Sequence, residues 1–259
     1  MIYRKEYMCL LDKWRDQRII KVVTGIRRCG KSSLLKMFRD KLLAEGVLKE
    51  QVLELNFEDL DNEPYLDYKV LYAYVKNHLV ENKMNYLFFD EIQMVDNFQK
   101  VINSFFLLDN VDIYVTGSNA YLLSGEIATL LTGRYVEIKL FPLSFKEYIS
   151  AQPEDMSLDS AYRKYIEIGS FPYLLQIENN REMVREYLTG LYNTIVLKDV
   201  VSRKKITDVM MLQSVVRFIS DNIGNISVIK RISDTMTSLG RKVSSHTIEN
   251  YISALTDSY

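Results

Sequence analysis

Apolar residues in this chain recur with two periods, and the two alternate over the first 140 or so positions. Short apolar or alternating runs occur at Ile19-Ile20-Lys21-Val22-Val23, 51–57, Asn85-Tyr86-Leu87-Phe88-Phe89, 111–116 and 135–140. Runs of this length and β-branched or aromatic content are strand patterns of a largely buried parallel sheet. Between them, three- and four-residue spacing marks helices. These carry Tyr7, Leu10, Leu11 and Trp14 within 1–16; Leu34, Leu35, Phe38 and Leu42 up to Gly46; and Val70, Leu71, Tyr74, Val75 and Leu79. Two more carry Val101, Ile102, Phe105 and Phe106, then Leu122, Leu123, Ile127 and Leu130. Strands separated by helices predict an α/β fold, a five-stranded parallel sheet sandwiched between helical layers. From Ser144 to Lys205 the pattern is helical, with Pro142 and Pro153 as breaks. Three further helices follow, on Met211, Val215, Phe218 and Ile219, on Ile229, Ile232 and Met236, and on Ile248, Ile252 and Leu255, with Gly240 between the last two.

The first strand runs into the first long helix through TGIRRCGKSS, residues 24–33. Gly25, four free positions, Gly30, Lys31 and Ser32 have the spacing of a phosphate-binding loop. Glycines allow consecutive backbone N–H groups to point inward at phosphate oxygens, so Gly25, Ile26, Arg27, Arg28, Cys29, Gly30, Lys31, Ser32 and Ser33 are expected to wrap a nucleotide. Lys31 is expected on the β- and γ-phosphates and the Ser32 hydroxyl on Mg²⁺. The strand 85–89 delivers Asp90 and Glu91 at its C-terminal end, where ligands collect in parallel sheets. There Asp90 would hold Mg²⁺ and Glu91 would polarise an attacking water. If the strand 111–116 lies between these two, a polar side chain from Thr116 to Asn119 meets the γ-phosphate or its water, although Ser or Asn there also suits a helix N-cap. ATP and Mg²⁺ are the expected ligands.

The 259 residues are 47% hydrophobic, enough for more than one packed core, and 33 basic against 34 acidic side chains leave a net charge of −1. Bulk electrostatics therefore does not advertise nucleic-acid binding, and any such contact needs a local patch. No apolar run reaches the length of a membrane span, and Met1-Ile2-Tyr3-Arg4-Lys5-Glu6 is too charged to open a signal peptide, so a soluble, cytoplasmic protein with no membrane contact is expected. The two cysteines, Cys9 and Cys29, make no disulfide framework. Cys29 inside the loop is either a small neutral filler or a thiol whose oxidation blocks nucleotide. His78 and His246 stand without metal-spaced partners, so no zinc site is read.

The segments GIRRCGKSS, YLFFDEIQ, VTGSN, LTGRYVEIKLFPLSFKEY, IGSFPYLL and NTIVLKDVV, in that order, resemble the prokaryotic AAA-type (P-loop) ATPases in which an ATP-binding domain precedes a poorly characterised C-terminal domain. The resemblance implies ATP hydrolysis, with GIRRCGKSS as Walker A and Asp90-Glu91 as Walker B. It places Ser118-Asn119 at the sensor position, which makes Asn119 a catalytic candidate. Arg134, just before the fifth strand, is similar in placement to the arginine that reaches a neighbouring subunit's γ-phosphate, which implies a homo-oligomer; a salt bridge or strand-edge contact is the other reading. Gly169-Ser170-Phe171-Pro172 resembles a GxP signature whose proline, here Pro172, packs on adenine, with Ser170 where the family carries a second glycine. A helix terminator would look the same.

The expected organisation is a P-loop ATPase domain over 1–143, a helical lid over 144–205 and a winged-helix-like domain over 206–259. In the last, Ser245 is the expected N-cap of a recognition helix presenting Ser245, His246, Glu249 and Asn250, with Arg241 and Lys242 nearby. Arg203-Lys204-Lys205 is a basic cluster or a solvated turn. Such a domain takes either DNA or a protein partner. The chain stops at Tyr259 inside an apolar-striped helix without a β-wing, and a truncated domain is expected. The function expected is Mg²⁺-dependent ATP hydrolysis that couples nucleotide state to a partner. A nucleotide-gated adaptor or DNA-binding switch with little turnover, and a small-molecule kinase, are the alternatives.

Overall fold

The computed structural model describes residues 2–117, 133–201 and 206–256, leaving aside the side chains of 196–199. Ser118, Asn119, the helix expected on Leu122 to Leu130, and Arg203-Lys204-Lys205 lie outside the described residues. The chain divides into two compact units, Met1–Asn179 and Asn180–Tyr259.

The first unit is built on the expected parallel sheet. Its strands are β1 (Ile20–Thr24), β2 (Val52–Asn56), β3 (Asn85–Asp90), β4 (Val111–Thr116) and β5 (Tyr135–Lys139), in the order β2-β3-β4-β1-β5. All four pairings are parallel. β1 and β3 are buried along their whole length, whereas the edge strands β2 and β5 are half-exposed, which is why the former are mostly apolar, with Lys21 the exception inside β1, and the latter alternate. β4 inserts between β3 and β1, so the strand bearing the acids and the strand bearing the glycine loop end two strand spacings apart, about 10 Å.

Alternation along each strand distributes side chains to two helical layers. Ile20, Val22, Leu87, Phe89, Ile113 and Val115 face Leu71 and Val75 of α3 (Tyr68–His78) and Val101, Ile102 and Phe105 of α4 (Phe98–Phe106). Val23, Phe88 and Tyr114 face Met8 and Leu11 of α1 (Lys5–Trp14) and Leu34, Leu35, Phe38 and Leu42 of α2 (Lys31–Ala44). The lead-in helix starts at Lys5 because Arg4 is drawn inward, 4% exposed. Asp67 caps α3 by accepting the N–H groups of Lys69 and Val70. Pro64 lies within a 3₁₀ stretch, Leu60–Leu66, rather than in a simple turn.

At the N-terminal ends of β1 and β4, opposite the loop, Lys21 and Asp112 form a fully buried ion pair. Lys21 Nζ also donates to the Gln17 carbonyl at 3.0 Å, and Asp112 Oδ2 accepts from the Tyr114 hydroxyl at 2.8 Å and the Asp16 N–H at 2.9 Å. Burial pushes the Asp112 carboxyl up and the Lys21 amine down, and their mutual contact opposes both shifts. The Tyr86 hydroxyl, bonded to Asp16 at 2.8 Å, is pushed up to about 12, chiefly by burial.

The rest of the first unit is helical: α5 (Phe145–Ile149), α6 (Leu158–Ile168) and α7 (Leu174–Ile177). The second unit holds α8 (Arg181–Tyr192), a π-helical stretch Asn193–Val201, α9 (Val209–Asp221), α10 (Ile229–Ser238) and α11 (Ser245–Thr256), with no strand among its described residues. Leu212, Val215, Ile232, Met236, Ile248 and Ala254 form its core with Val200. The N-cap of α11 is Ser244, not Ser245 as expected, because the Ser244 hydroxyl accepts the Thr247 N–H at 3.1 Å. Ser245 is instead the first helical residue, the register that turns Ile248 and Tyr251 inward. No helix among the described residues is long and apolar enough to cross a membrane.

Removing one member of the buried pair leaves the other uncompensated, so Asp112→Ala should cost about 3–5 kcal/mol in chemical denaturation. A loss under about 1 kcal/mol, the size of a surface pair, would show that the pair is not buried as described.

Candidate active site

The loop after β1 is shaped by two glycines. Gly25 has φ +151°, and a Cβ there would stand 2.2 Å from the Leu140 carbonyl oxygen, so no other residue fits while Leu140 N–H donates to the Thr24 carbonyl at 2.7 Å. Gly30, at φ +104°, is the left-handed residue from which α2 starts. Cys29 is buried beneath the turn and burial pushes its thiol up, the behaviour of an inert filler. Ile26, Arg27 and Arg28 form the outer part of the loop, and Ser32 and Ser33 lie in the first turn of α2.

Lys31 follows Gly30 and is 5% exposed. Its Nζ donates to the Gly25 carbonyl at 3.1 Å and lies 3.8 Å from Glu91 Oε1. Asp90, 9% exposed, ends β3, and its Oδ1 accepts the Thr116 hydroxyl from β4. The same Thr116 oxygen accepts the Glu91 N–H at 3.0 Å, where the chain turns out of β3 through a left-handed residue, φ +55°. Glu91 Oε2 accepts from Gln93 Nε2 at 2.5 Å.

This arrangement fits a magnesium-nucleotide. An ammonium has three N–H donors, and among the described residues Lys31 places one in a hydrogen bond, to a carbonyl, which leaves a nearly buried cation short of acceptors that a polyphosphate supplies. A hydroxyl and a carboxylate, Ser32 and Asp90, are the hard oxygen donors that Mg²⁺ prefers.

A second ring of contacts holds the loop from below. Arg4 donates through Nε to Glu147 Oε1 at 2.5 Å, through Nη2 to the Phe141 carbonyl at 2.9 Å and through Nη1 to the Cys29 carbonyl at 3.4 Å. Glu147 also closes a capping box with Ser144 at the start of α5. Burial works against ionisation of Glu147, but the Arg4 and Ser144 bonds hold its carboxyl below the ordinary range. Pro172 stands beside the loop, its Cγ 3.8 Å from where a Cβ on Gly30 would be, because the Ser170 carbonyl accepts the Leu143 N–H at 2.7 Å.

The structure thus brings Gly25, Gly30, Lys31, Ser32, Asp90, Glu91 and Pro172 to the C-terminal end of the sheet, beyond β1 and β3. It does not bring Arg134 there. The Arg134 carbonyl accepts the Ile20 N–H at 2.8 Å, at the start of β1, so five residues of strand, about 16 Å, separate it from the loop end. Its guanidinium bonds Asn103 Oδ1 at 3.2 Å and lies 5.6 Å from the Phe106 ring centre. Sequence reasoning missed Arg4, which carries no local signal, and Gln93, although it stands in the quoted YLFFDEIQ.

A parallel sheet in this strand order, with a glycine loop opening a helix beside an acidic strand end, is the fold of AAA-type P-loop ATPases. Residues 17–149 match the family model of an AAA domain, and the chain belongs to that family. Residues 159–259 match a domain of unknown function, DUF8612. The chain is 39% identical over 264 residues to an uncharacterized protein of Haemophilus influenzae, an alignment covering all of this chain and 65% of that one. It is 31% identical over 259 residues to an uncharacterized protein of Methanocaldococcus jannaschii, covering 93% of this chain and 55% of that one. The chain therefore spans somewhat under two thirds of these relatives' lengths. Among solved structures, a Walker-type ATPase of Pyrococcus abyssi superposes with a TM-score of 0.63 over 100% of this chain and 90% of the other, and at 16% identity that likeness speaks for the fold alone.

Glu147 ionises more readily in the folded chain than in the unfolded one, so its contribution is present above the ordinary value of 4.5 and is lost as pH falls through the lowered folded value. Between about pH 5 and pH 3, the thermal midpoint of the wild type should therefore fall more steeply than that of Glu147→Gln. Equal slopes would show that the Arg4 contact does not stabilise the carboxylate.

Proposed function

We propose that this chain binds ATP with Mg²⁺ and hydrolyses it to ADP and phosphate. The observation that carries the reading is the approach of Lys31 Nζ to Glu91 Oε1, 3.8 Å, across an intervening strand. Two residues from separate parts of the sequence meet there with a cation and a general base side by side. In this reading the N–H groups of the segment Gly25 to Ser33 cradle the phosphates and Lys31 stabilises the charge that develops on them. Ser32 and Asp90 hold the metal, with Thr116 orienting Asp90. Magnesium, when bound, neutralises phosphate charge and positions the terminal phosphoryl group. Glu91 takes the proton of the attacking water, Asn119 orients that water, and Pro172 packs on the adenine. Arg134, remote from its own loop, would serve the nucleotide of a neighbouring copy, which makes a homo-oligomer part of the proposal.

Of the helical segment 144–205 expected as a lid, the part up to Asn179 belongs to the unit that holds the site and is proposed as the lid, while 206–259, within the second unit, is proposed as a winged-helix-like partner module. Arg241 donates to the Met210 carbonyl at 3.0 Å and the Ser214 hydroxyl at 2.6 Å, so it is committed within its own unit and adds little to a phosphate-binding face. That favours a protein over DNA as the partner. Lys31 draws on Glu91 Oε1 until a phosphate claims the ammonium, which favours slow basal turnover and keeps a nucleotide-gated adaptor as the second reading.

Glu91→Gln should lose at least about 100-fold in turnover while ATP affinity stays within about twofold. Wild-type turnover by that variant would remove Glu91 from the chemistry. Single-turnover assays of the wild type that release almost no phosphate would replace hydrolysis by the adaptor reading.

A further inference from the structure

Gln93 makes one strong bond and lacks another. Its Nε2 donates to Glu91 Oε2 at 2.5 Å, while its Oε1 is sealed from solvent and finds no hydrogen-bond partner among the described residues. Flipping the amide would set its oxygen against the carboxylate, so the orientation follows from charge. A buried acceptor without a donor works against folding, and a methionine of similar reach would fill the Ile92–Met94 turn without that defect. Stability alone gives no reason for an amide at this position.

What the amide does, and a thioether cannot, is grip Glu91. The backbone of Glu91 is fixed by its N–H bond to Thr116 and by its left-handed turn. One carboxylate oxygen, Oε2, is taken by Gln93, and the other, Oε1, is left on the side of Lys31 and the glycine loop. We propose that Gln93 is a positioning residue for turnover: by holding Oε2 it presents Oε1 of Glu91 to the phosphate side, without itself touching nucleotide. The inference rests on the hydrolytic reading above and names the residue that makes its general base competent. In the step concerned, Glu91 Oε1 accepts a proton from water as the water oxygen bonds the γ-phosphorus. The bond from that phosphorus to the β–γ bridging oxygen breaks, and ADP leaves with the electron pair. Gln93 neither gives nor takes a proton.

The test uses the full chain carrying Gln93→Met, alone and with Glu91→Gln. In Gln93→Met, kcat should fall by about 100-fold, the loss expected when a reacting group is held slightly wrong, with KM and ATP affinity within about twofold. The thermal midpoint should stay equal or rise, because the unpartnered acceptor is gone. In the Glu91→Gln background, Gln93→Met should change nothing further, since the two residues act as one unit. Unchanged kcat in Gln93→Met overturns the inference, as does a variant that unfolds, because the amide would then be structural. Losses that multiply with Glu91→Gln also overturn it. Absence of hydrolysis by the wild type overturns both this inference and the hydrolytic reading, whereas hydrolysis unaffected by Gln93→Met overturns this inference alone.

Discussion

A buried ammonium needs anions around it, and Lys31 has too few of its own. It sits almost wholly inside the protein with one carbonyl at hydrogen-bond distance and one carboxylate oxygen at 3.8 Å. Desolvating a cation to that degree is unfavourable unless charge of the opposite sign arrives. Much of the first unit serves to set up this condition. The strand order brings β3 within one strand of β1, Thr116 on the intervening strand ties down Asp90 and the turn at Glu91, and Arg4 secures the loop from beneath. The site is thus a preorganised hole for negative charge, assembled by a sheet whose own stability comes from the two apolar layers and from the ion pair at its other end.

Much of this was legible in the sequence, for a physical reason. Central strands of a parallel sheet are buried on both faces, so β1 and β3 are dominated by apolar residues such as Ile20, Val22, Val23 and Tyr86 to Phe89, and the loop between strand and helix had to carry glycines where backbone crowds backbone, as Gly25 does against Leu140. What was hidden depends on contacts between distant positions. Arg4 belongs to a stretch that reads as a charged lead-in, and only its partners at Phe141 and Glu147, more than 130 residues away, explain its burial. Gln93 stands two positions beyond Glu91 in YLFFDEIQ, and nothing local shows that its amide reaches back to that carboxylate. The mistaken cap of α11 came from two adjacent serines, between which only the inward register of Ile248 decides. Gly169 to Pro172 read as a ligand contact, with a helix end as the alternative, and it is the bond from Leu143 to Ser170 that sets Pro172 beside Gly30.

The second unit is a separate packing problem. Its helices close on a core of their own, and its exposed α11 face, with His246, Glu249 and Asn250, carries little positive charge. The Haemophilus influenzae and Methanocaldococcus jannaschii relatives continue beyond the span they share with this chain.

A crystal structure of the wild-type chain grown with Mg²⁺, ADP and aluminium fluoride would read the convergence of loop and acids without passing through kinetics. Lys31 should have left the Gly25 carbonyl for phosphate or fluoride, with Ser32 and Asp90 on the metal side and Glu91 Oε1 beside the apical water. A nucleotide seated elsewhere, with Lys31 still bonded to Gly25, would show that the loop and the acidic strand end do not share one site.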